Sequence, residues 1–149
     1  MPSQPIFFTW KASFELGLPA IDDEHRNFFE ILNRCARAAA DGASPSTVEL
    51  LIQELVTYAA HHFKNEEAAL ERVGYPELAQ QRREHQHFAR GLELLRSQEA
   101  PSLLAALMMA RDWLLQHVLG TDRRYVAWIE QDRAGPAAIV PGALHRRRA

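Results

Sequence analysis

Apolar residues recur along most of this chain at spacings of three and four, the period of a helix that buries one face. The first such stripe, Ile21, His25, Phe28, Phe29, Leu32 and Cys35/Ala36, predicts a helix from about Pro19 to Ala40. Pro19 suits a first helical turn, the acidic Asp22, Asp23 and Glu24 follow where the helix macrodipole favours negative charge, and Asp41-Gly42 signals the turn that ends it. A second stripe, Val48, Leu51, Ile52, Leu55, Ala59, His62, Glu66, Ala69/Leu70 and Val73, predicts a longer helix with Pro45 near its start, capped by Ser44 or Ser46 and closed by Gly74. The third stripe, Leu78, Gln81, His85, Phe88, Leu92 and Leu95, predicts a helix from about Pro76 to Ser97. The fourth, Leu103, Ala106/Leu107, Ala110, Trp113/Leu114 and His117, opens at Pro101 and is broken by Gly120, with a short helix from about Asp122 to Gln131 beyond it.

Short connections between helices of similar length make them antiparallel neighbours. The expected fold is therefore all-α, an antiparallel up-down four-helix bundle with an N-terminal arm and a short C-terminal helix. Residues 1–17 hold Phe7, Phe8, Trp10 and Phe14 without helical spacing, and are expected to lie extended across the bundle. Residues 134–149 switch to Ala, Gly and Pro and end in His145-Arg146-Arg147-Arg148, so a flexible basic tail is expected after a bundle domain spanning 1–133.

Composition narrows the class of partner. The 149 residues suffice for one domain with a real core, and 47% hydrophobic with 24% charged residues is ordinary for a globular chain. A net charge of -2 gives no reason to expect nucleic acid, and no membrane span is indicated. One cysteine, Cys35, excludes an internal disulfide framework and any cysteine-rich metal site. Met1 to Thr9 lack a basic segment followed by an apolar run, which points to a cytoplasmic protein.

What changes this picture is polar residues on the apolar stripes. Residues four apart on a helix share a face, so His62 and Glu66 can address one atom from within the core, and Gln81 and His85 do the same from an antiparallel neighbour. A buried carboxylate beside imidazoles is costly unless it is paired or bound to a cation. His25 alone would read as a satisfied core histidine. Four helices that each place a histidine on the buried stripe, His25, His62, His85 and His117, point instead to metal. Asp122 is five residues after His117, and a distortion at Gly120 is expected to let both reach one centre. Two carboxylates with four imidazoles exceed the needs of one ion, which argues for a pair bridged by Glu66 and Asp122. Tyr58 shares the His62 face and could donate a hydrogen bond behind it, whereas His61, Glu67 and His87 fall off the stripes and read as solvated.

These residues resemble the hemerythrin family, in particular its single-domain bacterial members, the bacteriohemerythrins. The likeness runs in order from about Trp10 to Glu130. It comprises Ile21-Asp22-Asp23-Glu24-His25, His62-Phe63-Lys64-Asn65-Glu66-Glu67, Tyr75-Pro76, Glu84-His85 with Phe88, Trp113-Leu114-Leu115-Gln116-His117-Val118, and Asp122 with Tyr125. The resemblance implies two non-haem iron ions bridged by Glu66, Asp122 and a solvent-derived oxo or hydroxo group. It would put His25 and His62 on the iron open to dioxygen, and His85 and His117 on the other. Dioxygen or small anions would be the ligands, with Phe29, Phe63 and Trp113 lining an apolar pocket. A protein partner is not indicated.

One position departs from the family. Where the third helix has His-x-x-x-His, this chain has Gln81-Arg82-Arg83-Glu84-His85. A glutamine amide is a weaker ligand than imidazole for ferrous iron, and Gln81 can either ligate through oxygen or step back and hydrogen-bond a bound water. Two functions follow: reversible dioxygen binding as carrier, reservoir or sensor, which is preferred, or redox chemistry on peroxide, nitric oxide or iron itself at the altered iron. An empty scaffold bundle is the third.

Overall fold

The computed structural model describes residues 8–132. Its regular structure is helical throughout: α1 is Pro19–Ala40, α2 is Pro45–Arg72, α3 is Leu78–Arg96, α4 is Leu103–Gln116 and α5 is Arg123–Asp132. A wide helical turn, His117–Asp122, joins α4 to α5. Around the bundle, α1 packs on α2 and α4, and α3 packs on the same two, which is the expected up-down square. No helix among the described residues is long and apolar enough to cross a membrane. The expected tail, with Phe7 of the arm, lies outside the described residues.

Helix ends follow local chemistry. Ser44 caps α2 by accepting from the Thr47 N–H at 3.3 Å, and Ser102 caps α4 by accepting from the Ala105 N–H at 3.1 Å. At the far end of α2, Gly74 takes φ +70°, which lets the Tyr75 N–H turn back onto the Leu70 carbonyl at 3.0 Å. Two starts fall later than expected. Pro76 and Glu77 belong to a turn closed by the Leu78 N–H on the Tyr75 carbonyl at 3.3 Å, so α3 begins at Leu78. Pro101 precedes the Ser102 cap, so α4 begins at Leu103.

The arm closes one side of the bundle as an aromatic cluster. Phe8 stacks on Phe29 at 4.2 Å between centroids, and Trp10 and Phe14 approach the same ring at 5.1 and 5.8 Å. Asn33 exchanges two 2.7 Å hydrogen bonds with the Phe8 backbone, and the Arg26 guanidinium lies 5.3 Å from the Trp10 ring centre. Asp22 does more than complement the helix dipole. It is fully buried and accepts from the Leu16 and Gly17 N–H groups at 2.8 and 3.1 Å, tying the arm to the first turn of α1. The core below holds Phe28, Leu32, Ile52, Leu55, Leu92, Leu107 and Leu114, with Cys35 buried among them. Burial pushes the Cys35 thiol up to about 11, so it is a protonated, inert apolar group.

Candidate metal centre

The buried stripes converge on a polar cluster midway through the bundle. His25, His62, Glu66, Gln81, His85, His117 and Asp122 are each at most 2% exposed. Glu66 sits at the middle. Its Oε2 lies 4.0 Å from His25 Nε2 and 3.5 Å from His62 Nε2, while its Oε1 lies 3.0 Å from His85 Nε2 and 3.6 Å from His117 Nε2. Asp122 divides its oxygens the same way, with Oδ2 3.4 Å from His25 Nε2 and Oδ1 2.9 Å from His117 Nε2. Each carboxylate therefore faces an α1/α2 end and an α3/α4 end at once.

Asp122 reaches the cluster through the wide turn after α4. In an ordinary helix, residues five apart diverge by more than a right angle. The π-helical turn His117–Asp122 adds about one residue per turn and restores both side chains to one face. The break expected at Gly120 does not occur: the helix is widened there instead, and α5 continues directly from the turn. Gly120 supplies no special backbone angle for this, since positive φ among the described residues is confined to Gly17, Gly42 and Gly74.

Outside the cluster, carboxylates aim two of the imidazoles. His62 Nδ1 donates to Glu24 Oε1 at 3.0 Å, and His85 Nδ1 donates to Glu67 Oε2 at 2.8 Å. With the proton on Nδ1, each Nε2 turns its lone pair inward, the state in which imidazole binds a metal. Glu24 and Glu67 are the functional residues that the stripes did not reveal, and Glu67 is partly buried and bonded, not solvated. The signal was a carboxylate next in sequence to His25 and to Glu66, turned toward the neighbouring helix. Tyr58 acts one step further out, donating to the Glu24 carbonyl at 2.7 Å, and Tyr125 donates to Glu66 Oε2 at 3.2 Å.

Aromatic rings wall the α3/α4 end. Phe63 stacks on His85 at 4.0 Å and 7°, Trp113 stacks on His117 at 4.3 Å and 15°, and Phe88 lies 4.5 Å from Trp113. Phe29 faces the other way, with its ring contacts on the arm, and Phe28 is the α1 ring that approaches His62, at 6.4 Å.

The electrostatics call for positive charge. Burial alone would raise Glu66, but the His117 hydrogen bond and the other imidazoles around it hold it well below the usual carboxylate range. Asp122 is likewise lowered, with burial and the Glu66 charge opposing and His117 prevailing. Among side chains the compensating charge falls on His117, which Asp122 and Glu66 push up to about 10 against its burial. Meanwhile His25 Nε2, His62 Nε2 and Asp122 Oδ2 have no hydrogen-bond partner. Leaving such atoms unsatisfied costs about 1–3 kcal/mol each. Cations meet every one of these demands, and the sets His25-His62-Glu66 and Glu66-His85-His117 each bring ligand atoms within 4.8 Å of one another.

Residues 16–129 match the family described as the Hemerythrin HHE cation binding domain. The chain belongs to the hemerythrin family. It is 32% identical over 127 residues to a bacteriohemerythrin of Clostridium acetobutylicum, covering 80% of this chain and 98% of that one. Myohemerythrin-1 of Phascolopsis gouldii is 32% identical over 121 residues, covering 81% and 93%. A crystal structure of wild-type hemerythrin superposes with a TM-score of 0.76 at 28% identity, over 81% of this chain and 96% of that one. Hemerythrins are non-haem di-iron proteins that bind dioxygen, and nothing in these likenesses favours the redox alternative.

Proposed function

We propose that this chain binds dioxygen reversibly at two iron ions, with His25 and His62 serving one, His85 and His117 the other, and Glu66 and Asp122 shared between them. The observation that carries the reading is the division of each carboxylate's oxygens between the two ends of the cluster. When bound, a pair of ferrous ions supplies the two electrons that reversible uptake of dioxygen requires. The chain's own contribution is positioning and exclusion. Glu24 and Glu67 hold His62 and His85 in the metal-binding tautomer. Tyr125 fixes one oxygen of Glu66 from a site fully closed to solvent. Phe63, Phe88 and Trp113 keep water from the α3/α4 end, which slows irreversible oxidation.

A carrier, reservoir or sensor all need the same reversible step. Purified chain reconstituted with ferrous iron should hold two ions per chain and show a near-ultraviolet and visible band on exposure to air that disappears under argon and returns with air. A permanent ferric spectrum after the first exposure would favour redox chemistry instead, and fewer than two ions per chain would remove the reading.

A further inference from the structure

The family's histidine at position 81 is a glutamine here, and the structure gives that amide a definite set of contacts. Gln81 Nε2 donates to Glu66 Oε1 at 2.9 Å and to Asp122 Oδ1 at 2.8 Å. An amide nitrogen carries two hydrogens, so both bonds form together. Turned over, the amide would set its carbonyl oxygen against two carboxylates that can only accept. The oxygens it holds are the ones that face His85 and His117, so the clamp acts at the α3/α4 end. An amide nitrogen has no lone pair to offer a metal, and Gln81 Oε1 remains buried with no hydrogen-bond partner.

We propose that Gln81 is a hydrogen-bonding clamp on the two shared carboxylates and not a metal ligand, which leaves the His85/His117 end one protein ligand short and creates a second site for a small exogenous ligand. Water in that position could donate to the free Gln81 Oε1, and a small anion would displace it. The centre then has two exchangeable positions, one at each end. This rests on the di-iron reading above.

Azide titration of the iron-loaded, ferric full chain tests it, with iron content measured on the same samples. Two azide equivalents per chain are expected for the native protein, one for Gln81→His, where imidazole fills the position, and two for Gln81→Leu, which removes the amide without supplying a ligand. If Gln81→His does not fold, as judged by its helical circular dichroism, the native and Gln81→Leu proteins carry the comparison. One equivalent in the native protein rising to two in Gln81→Leu would show that the amide oxygen is a ligand, and one equivalent in both would show no second site. Either result overturns the proposal while two irons per chain leave the di-iron reading standing. Native protein that does not retain two irons overturns both.

Discussion

Helix α2 and the wide turn that follows α4 each deliver one histidine and one carboxylate to the same cluster, by different means. In α2 the pair is His62 and Glu66, four apart, and an undistorted helix brings both side chains inward. Just beyond α4 the pair is His117 and Asp122, five apart, and the backbone opens into a π-helical turn to reach the same result. Their imidazoles are also held differently. His62 is pinned through Nδ1 by Glu24, whereas His117 Nδ1 has no partner and the ring is held by its stack on Trp113. A binding geometry can thus be preserved while its spacing, backbone and support all change, because the chemistry constrains where the ligand atoms sit and not how the chain gets there.

The largest effect should come from removing the carboxylates. Glu66 faces four imidazoles and Asp122 two, so Glu66→Ala should cost more iron affinity than Asp122→Ala. Both losses should exceed the roughly 10–100-fold that outlying partners of a metal site are worth. Iron per chain by elemental analysis checks the order, and equal losses would show that the two carboxylates are equivalent after all. In the native protein, stripping iron with a chelator should lower Tm by roughly 5–10 °C, since saturation at about 100 Kd stabilises by about 2.7 kcal/mol and a chain of this size shifts about 2–4 °C per kcal/mol. An unchanged Tm would mean that the bundle gathers these charges without help from the ions.

Next in size are the supports. Glu24→Ala frees the His62 ring and should weaken iron binding by about 10–100-fold. Trp113→Ala removes the stack on His117 and opens that wall to water, so the expected sign is faster autoxidation with a smaller loss of iron. Competition against a chelator of known affinity reads the first effect, and the decay of the air-exposed spectrum reads the second. If the two variants exchanged these behaviours, the supports would be assigned to the wrong ends.

How legible all this was in the sequence follows the same division. His25, His62, Glu66, Gln81 and His85 lie on regular helical stripes, so their convergence could be argued from spacing alone, and α1 spans the expected Pro19–Ala40. The His117–Asp122 pair violates that spacing. The sequence carried the need for a distortion at that point but not its form, because a widened helix and a broken one use the same residues. Glu24 and Glu67 were invisible to periodicity, since each belongs to one helix and serves a histidine on another, and only the register between helices brings them together. The same limit separates Phe28 from Phe29: both are on the α1 stripe, and only the path of the arm decides which one meets Phe8.

The smallest expected effect separates the two helices at their glycines. Gly74 closes α2 at φ +70°, a left-handed conformation that costs a residue with a Cβ about 1–2 kcal/mol, so Gly74→Ala should destabilise the protein by that amount. Gly120 lies in the wide turn after α4 with an ordinary negative φ, is exposed, and would meet no atom within 4 Å if given a Cβ. There a methyl group restricts the unfolded chain at no cost to the folded one, so Gly120→Ala should stabilise by up to about 0.5–1 kcal/mol. Iron content should stay at the native level, because the turn widens to bring Asp122 to His117 and not because a glycine permits it. Thermal melts of the two variants should therefore move in opposite directions. Loss of iron in Gly120→Ala would return the glycine to the role that the sequence suggested for it and make the wide turn its consequence.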